Sequence, residues 1–308
     1  IDYARNGYPV SAEIACMWKK ALNAIPNSEE FKSWYDTFTF DGKTPEPGQM
    51  ICMPKLADAL EKIADTNTDA LYYGELADRI DEESKRFGGF LRKQDLEDHK
   101  VEWVNPIHVD YHGYQVWELP PNGQGIVALM ALNVLNNFQF KDRDVDCIHT
   151  QMEALKMAFA DAKEYVTDPK CMNMPVDDLI SVDYGKQRAS QIGHLALPPR
   201  VDKPHGSGTV YLCTADKDGN MVSYIQSNYM GFGSGIVVDG VSLQNRGYDF
   251  SLDPSHVNYL MPHKKTYHTI IPGFLTKDDK PVGPFGVMGG YMQPQGHMQV
   301  VTNMIDFH

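Results

Sequence analysis

The sequence has few cysteines, and their spacing excludes the common cysteine-based sites. The five cysteines are odd in number and widely separated along 308 residues, and no pair has the spacing of a zinc or redox motif. We therefore interpret them as reduced thiols. This interpretation indicates a reducing compartment and slightly favours the cytoplasm over the periplasm or secretion.

Basic residues and long apolar runs are also scarce. Lys and Arg number 28 against 41 Asp and Glu, a formal net charge of −13, which argues against a nucleic-acid or anionic-membrane partner. No apolar run is long enough to span a bilayer, and the sequence has no signal peptide. The chain starts without an initiator Met and stops at His308 without a helix cap, so we expect segments to be missing at both ends.

Two stretches come near known ligand motifs but do not match them. The glycine-rich turn 120–125 (PPNGQG) leads into an apolar stretch, yet it lacks the GxGxxG spacing and a following Lys-Ser/Thr pair. We interpret it as a tight strand-to-helix turn without a nucleotide. His149, Glu153 and Asp161 lie on one predicted helix, but not in HExxH order, and we interpret the two acidic residues as structural partners. The sequence therefore predicts no cofactor and no metal site.

Hydrophobic periodicity divides the chain near residue 208. Residues 194–208 have no period, three prolines and two glycines, and they form the best linker in the chain. We expect residues 1–208 and 209–308 to be two portions of one domain, the first rich in helices and the second in strands. The predicted elements before the linker are a loop at 27–53, a hairpin at 107–119, and helices at 126–138 and 148–166. Those after it are strands at 209–215, 221–227, 267–275 and 282–288, and a helix at 293–305.

The most informative stretch is the start of the first strand after this linker. Thr209 directly follows Gly206-Ser207-Gly208, and strand propensity alone accounts for a threonine there. The alternative interpretation is that the chain cuts itself between Gly208 and Thr209. Thr209 would then carry a free α-amine, a base whose unperturbed pKa of about 7.7–8.0 suits activation of its own hydroxyl.

Two later features could belong to the same site. Arg246 and Asp249 lie three residues apart, an arrangement that an exposed ion pair explains equally well. Gly289-Gly290 joins a predicted strand to a predicted helix. Backbone N–H groups at such a junction can stabilise an oxyanion, although a plain turn would have the same sequence.

From Tyr3 to Asp306 the sequence resembles the γ-glutamyltranspeptidase family, which includes glutathione hydrolases and cephalosporin acylase-like enzymes. The similar segments run in one order and register, and the most specific are 209–219, 232–235, Asp249-Phe250 and Gly289-Gly290. The resemblance implies an N-terminal-nucleophile hydrolase of the α+β class, a four-layer αββα sandwich. It also implies one precursor that cuts itself into a large and a small subunit.

The resemblance further implies the roles of individual residues. Thr209 falls on the nucleophile, and Ser227 falls on a second hydroxyl that hydrogen-bonds it. Gly289 and Gly290 fall on the oxyanion hole, and Asp249 falls on the carboxylate that receives the substrate α-amine.

Several substrate-binding positions depart from the γ-glutamyl pattern. Tyr229 stands where transpeptidases have Asn, Arg246 stands where a Gln or Glu helps to bind the amine, and His268-Thr269 replaces a serine pair. An arginine beside Asp249 would repel an ammonium group. These departures argue against γ-glutamyl recognition, whereas the nucleophilic residues are kept. The stretch 226–235 (QSNYMGFGSG) resembles the acylase-like branch more than the true transpeptidases.

The sequence thus predicts an autoprocessing amide hydrolase or acyltransferase that acts on γ-glutamyl compounds such as glutathione. An acylase for a non-glutamyl N-acyl amide is the alternative, and an inactive truncated member is a second alternative. The expected partner is a small amide substrate. The expected assembly is a large and a small subunit from one precursor, and a homodimer of these stays open.

Overall fold

The computed structural model describes residues 1–198 and 209–307, and the chain divides into two compact units. The first contains Ile1–Trp103 and Met230–Asn245, and the second contains Val104–Tyr229 and Arg246–His308. The predicted boundary between residues 208 and 209 concerns where the chain is cut, and this division does not test it.

The first unit is mainly helical and packs around an aromatic cluster. Trp18, Trp34, Phe38 and Phe232 have neighbouring ring centroids 4.5–5.8 Å apart. The burial of Trp34 and Phe38 explains a helix inside 27–53, where the sequence predicted a loop. The helices are Asp2–Asn6, Ala12–Ala24, Lys32–Phe38, Pro54–Asp65, Asp69–Tyr72, Glu75–Arg86 and Lys93–Asp98, with a 3₁₀ turn at Glu29–Phe31. Two short antiparallel pairs join Tyr8–Pro9 to Met50–Ile51 and Val237–Val238 to Val241–Ser242.

The second unit is built on the helix Gly125–Leu135, in which every residue is buried. A helix that is apolar on all sides requires neighbours on all sides, and helices Val145–Tyr165, Val182–Ala189 and Gln293–Asp306 pack against it. One face also packs on strands Ile107–Tyr111 and Tyr114–Glu118. The remaining helical turns are Pro169–Cys171, Val176–Leu179, Arg246–Asp249 and Gly290–Met292.

These strands belong to a four-stranded antiparallel sheet. Its order is Lys280–Phe285, Gly273–Lys277, Tyr114–Glu118, Ile107–Tyr111. The second of these strands begins at Gly273 rather than at residue 267, because Pro272 has no N–H to give to a ladder. His268 instead exchanges backbone hydrogen bonds with Asn122 and Gln124, and this places residues 268–269 beside the turn 120–125.

The predicted hairpin after the linker is present as Thr209–Ala215 paired with Met221–Ser227. Asp216 closes its turn by accepting the N–H groups of Asp218 and Asn220 at 2.9 Å each. Ser223 Oγ donates to the carbonyl of Gly273 at 2.9 Å, which ties the hairpin to the four-stranded sheet. In the described part of the chain, no helix has both the length and the apolar character needed to cross a bilayer.

Candidate active site

The hairpin brings the first two predicted site residues together. Thr209 opens one strand, Ser227 closes the other, and the antiparallel register places them directly opposite each other. Thr209 Oγ1 donates to Ser227 Oγ at 3.0 Å, and Thr209 is only 5% exposed. The N–H of Tyr229 donates to the same Ser227 oxygen at 2.9 Å. The Thr209 hydroxyl is therefore held by a partner that is itself held by the backbone.

The bond that would release the Thr209 amine lies partly outside the described residues. Thr209 is the first residue of the second described segment, and Gly208 lies outside the described residues. Cleavage between Gly208 and Thr209 therefore stays a prediction.

The substrate-binding candidates form one buried cluster around Arg246. Arg246 Nη1 donates to Thr269 Oγ1 at 2.6 Å and to Asp249 Oδ2 at 3.4 Å. The guanidinium carbon lies 4.6 Å from the centroid of the Tyr229 ring, which is cation–π geometry. Tyr291, which the sequence did not point to, donates its hydroxyl to Asp249 Oδ1 at 3.0 Å.

Burial sets the electrostatics of this cluster. It lowers the pKa of Arg246 and raises the pKa of Asp249, so each group lacks the solvation that normally favours its charge. Burial, with the nearby Arg246 charge, also lowers the pKa of His268 to about 3. His268 is therefore neutral at neutral pH, and Arg246 is the cation of the cluster.

The oxyanion candidates lie where the sheet passes into the last helix. Gly289 has φ 139° and Gly290 has φ 56°, both in the region that favours glycine. A 3₁₀ turn at Gly290–Met292 then leads into helix Gln293–Asp306. The predicted strand-to-helix junction is thus present, and the positive φ angles at both positions account for its two glycines.

Gln124 connects these glycines to the Arg246 cluster, a role that sequence reasoning missed. Its side chain is fully buried, and Nε2 donates to the carbonyls of Thr269 and Gly290 at 2.7 Å each. The only available signal was the polar residue inside the glycine-rich turn 120–125. Together with the Thr209–Ser227–Tyr229 contacts, Gln124 completes a continuous chain of contacts from the nucleophile candidate to Gly290.

No group of three or more His, Cys, Asp or Glu side chains within 1–198 and 209–307 is arranged to hold a metal ion. Glu153 and Asp161 on helix Val145–Tyr165, which we predicted to be structural partners, contact neighbouring side chains instead. Glu153 pairs with Lys156 at 2.7 Å, and Asp161 pairs with Arg188 and Tyr184.

The fold and these parts define a class of protein: a mixed α/β fold with antiparallel sheets and a buried hydroxyl pair at a strand start. The chain belongs to the γ-glutamyltranspeptidase family, because the family model for gamma-glutamyltranspeptidase matches residues 1–308. This result confirms the resemblance, and the predicted fold class is confirmed as well.

Individual relatives agree with this assignment. The chain is 40% identical over 311 residues to the glutathione hydrolase-like YwrD proenzyme of Bacillus subtilis, and the match covers 99% of this chain and 58% of the relative. It is 32% identical to the oxamate amidohydrolase proenzyme of Klebsiella pneumoniae, with coverage of 99% and 58%. A crystal structure of cephalosporin acylase from Bacillus halodurans superposes with a TM-score of 0.94 at 53% identity, with coverage of 99% and 57%. The chain therefore spans somewhat more than half the length of these relatives.

Proposed function

We propose that this chain forms the catalytic part of an autoprocessing amide hydrolase whose nucleophile is Thr209. The observation that carries the proposal is the buried pair of hydroxyls, with Thr209 Oγ1 3.0 Å from Ser227 Oγ at the start of a strand. Two of the similar proteins are named as proenzymes, which supports a precursor that is cut into two subunits.

The proposed self-cleavage is an N-to-O acyl shift. Thr209 Oγ1 attacks the carbonyl carbon of Gly208, the bond to the Thr209 nitrogen breaks, and that nitrogen leaves as the free α-amine. Water then hydrolyses the resulting ester. In the mature enzyme the same amine takes the proton from Oγ1 as the oxygen attacks a substrate amide.

The remaining parts complete the substrate reaction. The N–H groups of Gly289 and Gly290 stabilise the tetrahedral oxyanion, a contribution that typically changes the rate by about 10²–10³ for each donor. The leaving amine receives the proton from the Thr209 ammonium. Water, or an acceptor amine in an acyltransferase, then resolves the acyl-enzyme.

Two classes of acyl group are candidates. Family membership and the glutathione hydrolase-like relative support a γ-glutamyl donor. Arg246 favours a non-glutamyl acyl group. An ammonium bound to Asp249 Oδ2 would lie within about 6 Å of Arg246 Nη1, where two like charges repel by about 3 kcal/mol at an effective dielectric constant of 20. Oxamate, named for one relative, carries a carboxylate and no ammonium, which is consistent with this second class.

The test of the nucleophile is Thr209→Ala, with Thr214→Ala as control because Thr214 is an exposed residue of the same strand. We expect the intact mass of the wild type and of Thr214→Ala to split into species of residues 1–208 and 209–308. Thr209→Ala should stay uncut and should hydrolyse neither γ-glutamyl nor glutaryl anilides. Substantial turnover by Thr209→Ala would refute the mechanism, and a folded wild type that neither cuts itself nor turns over would support the inactive alternative.

A further inference from the structure

Glu118 and His297 form a polar pair in the interior of the second unit. His297 Nδ1 lies 2.5 Å from Glu118 Oε1, and both side chains are fully buried. Gln293, one helical turn before His297, is fully buried as well. Glu118 Oε2, Gln293 Nε2 and His297 Nε2 have no hydrogen-bond partner among the residues that the structure describes. The pair is therefore buried with part of its hydrogen-bonding capacity unmet.

Such a pair contributes little to the stability of a core. Replacing both members of a buried polar pair by apolar side chains of the same shape is often neutral or stabilising. Burial raises the pKa of Glu118, because desolvation disfavours its charged form. A hydrogen bond differs from apolar packing in that it fixes the distance between two particular atoms. Accurate placement of two segments therefore explains this pair better than a gain in stability does.

Glu118 belongs to one of two segments that hold Gly289-Gly290, the oxyanion turn. A Cβ at Gly125 would lie 2.8 Å from the Cβ of Glu118 and 3.0 Å from its Oε2. The Glu118 side chain thus packs directly against Gly125, which follows Gln124 in the chain. Gln124 Nε2 donates to the carbonyl of Gly290 at 2.7 Å. A shift of Glu118 would therefore be passed to the oxyanion turn through Gln124.

His297 belongs to the second segment, the helix Gln293–Asp306 that follows the oxyanion turn. The start of this helix packs closely against the residues that precede the turn, because a Cβ at Gly296 would lie 2.6 Å from Val287 Cγ2. The helix start and the turn therefore cannot move independently of each other.

These contacts close a ring. Gly290 is bonded to Gln124 on one side and leads into the helix that carries His297 on the other. The contact between His297 and Glu118 joins the two sides. We infer that Glu118 and His297 are positioning residues for the oxyanion turn, whose two N–H groups they hold in place through Gln124 and the helix start. This inference rests on the proposed function, since it concerns the oxyanion site of that reaction.

The first experiment replaces the pair by apolar side chains of similar size. The double variant Glu118→Met/His297→Leu should melt at or above the melting temperature of the wild type, because neither buried polar group remains. Its kcat on an anilide, per processed molecule, should fall roughly 10- to 100-fold with KM unchanged, because oxyanion donors act in the transition state. A merely structural role would leave kcat of the folded enzyme unchanged. Wild-type kcat in the double variant would overturn the inference.

Two single variants repeat the test with a smaller change in the core. Glu118→Gln keeps a side-chain oxygen and an N–H group, so it can hydrogen-bond His297 Nδ1 in either tautomer. It should retain most of the wild-type kcat. Glu118→Met has a similar size but no such group, and its kcat should fall as in the double variant. Equal kcat in the two single variants would refute the positioning role.

A second histidine–carboxylate pair provides the matched control. His112 Nδ1 lies 2.6 Å from Asp306 Oδ1 and joins the same hairpin to the opposite end of the same helix. His112→Asn removes this contact and keeps a residue type that tolerates the φ of 45° at this position. It should lower the melting temperature and leave kcat and KM at wild-type values. If His112→Asn loses as much kcat as the double variant, any disturbance of the helix slows the reaction and the assignment to Glu118 and His297 is wrong.

A measurement without substrate separates this inference from the proposed function. Amide hydrogen exchange in residues 287–293 should be faster in the double variant than in the wild type, and unchanged in His112→Asn. If exchange follows this pattern but the wild type hydrolyses no anilide, the positioning of the turn stands and the proposed function fails. If the wild type hydrolyses anilides but exchange in 287–293 is the same in all three proteins, the function stands and the inference fails.

Discussion

Ser227→Ala is the change that most directly tests the hydroxyl pair. It removes the oxygen 3.0 Å from Thr209 Oγ1, and it also removes the acceptor of the Tyr229 N–H at 2.9 Å. Tyr229 is 3% exposed, so its N–H would be left buried without this acceptor, at a cost of about 1–3 kcal/mol in the free energy of unfolding. The melting temperature should therefore fall by about 2–4 °C for each kcal/mol.

Ser227→Ala should also slow both hydrolysis and self-cleavage. Losing a hydrogen bond worth about 0.5–1.5 kcal/mol slows a step that depends on it by about 2- to 10-fold. Displacing the attacking oxygen by an ångström can cost about 100-fold. We expect kcat on an anilide substrate to fall at least about tenfold in Ser227→Ala, and the rate of self-cleavage to fall with it. Ser227→Thr keeps the hydroxyl and should recover most of both rates.

Ser223→Ala is the matched control for stability. Ser223 lies on the same strand, and its Oγ bonds Tyr211 Oη at 3.0 Å and the carbonyl of Gly273 at 2.9 Å. The control should lose similar stability and keep both rates. The assays are thermal unfolding, the time course of intact mass, and steady-state hydrolysis. If Ser227→Ala loses stability but cleaves itself and hydrolyses within twofold of the wild type, the hydroxyl pair is structural and the reasoning is wrong.

Two further predictions concern buried titratable groups. Because the pKa of His268 is lowered to about 3, the unfolded chain takes up a proton below its ordinary pKa of about 6.5 while the folded chain does not. Wild-type stability should therefore fall by up to about 1.4 kcal/mol per pH unit more than that of His268→Gln between pH 6.5 and 4 in urea unfolding, and parallel slopes would contradict this. Glu118 Oε1 and His297 Nδ1 lie 2.5 Å apart with both side chains fully buried, and burial raises the pKa of Glu118. Glu118→Ala or His297→Ala alone leaves a buried polar partner without this hydrogen bond and should cost at least about 1–3 kcal/mol in the free energy of unfolding. A loss below about 1 kcal/mol would show that this buried hydrogen bond does not stabilise the fold.

Local patterns predicted those elements that depend on near neighbours in sequence. The alternation from Thr209 to Ser227, with Asp216 and Gly219 at the turn, predicted the hairpin with its observed bounds. The apolar run that became helix Gly125–Leu135 was equally clear. Prediction failed where distant packing decides the structure. Helix Lys32–Phe38 exists because Trp34 and Phe38 pack with Phe232, a residue almost 200 positions away.

Part of the candidate site could be predicted from the sequence as well. The resemblance pointed to Thr209 and Ser227, and the structure places them in register. That Arg246 would be buried could not be predicted, because a spacing of three residues is also typical of an exposed pair. Burial is what changes its chemistry: an exposed arginine satisfies its free N–H groups with water, whereas this one keeps Nε and Nη2 without partners among the described residues.

Gln124 explains how one site draws on segments far apart in the chain. Its amide nitrogen has two donors, and each meets a carbonyl at 2.7 Å, one on Thr269 beside the Arg246 cluster and one on Gly290 at the oxyanion candidate. Leaving either buried carbonyl unpaired would cost free energy, so the two segments are fixed relative to each other at Gln124. Gln124 thus links the Arg246 cluster to the glycine pair, although more than 40 residues separate Arg246 from Gly289 along the chain.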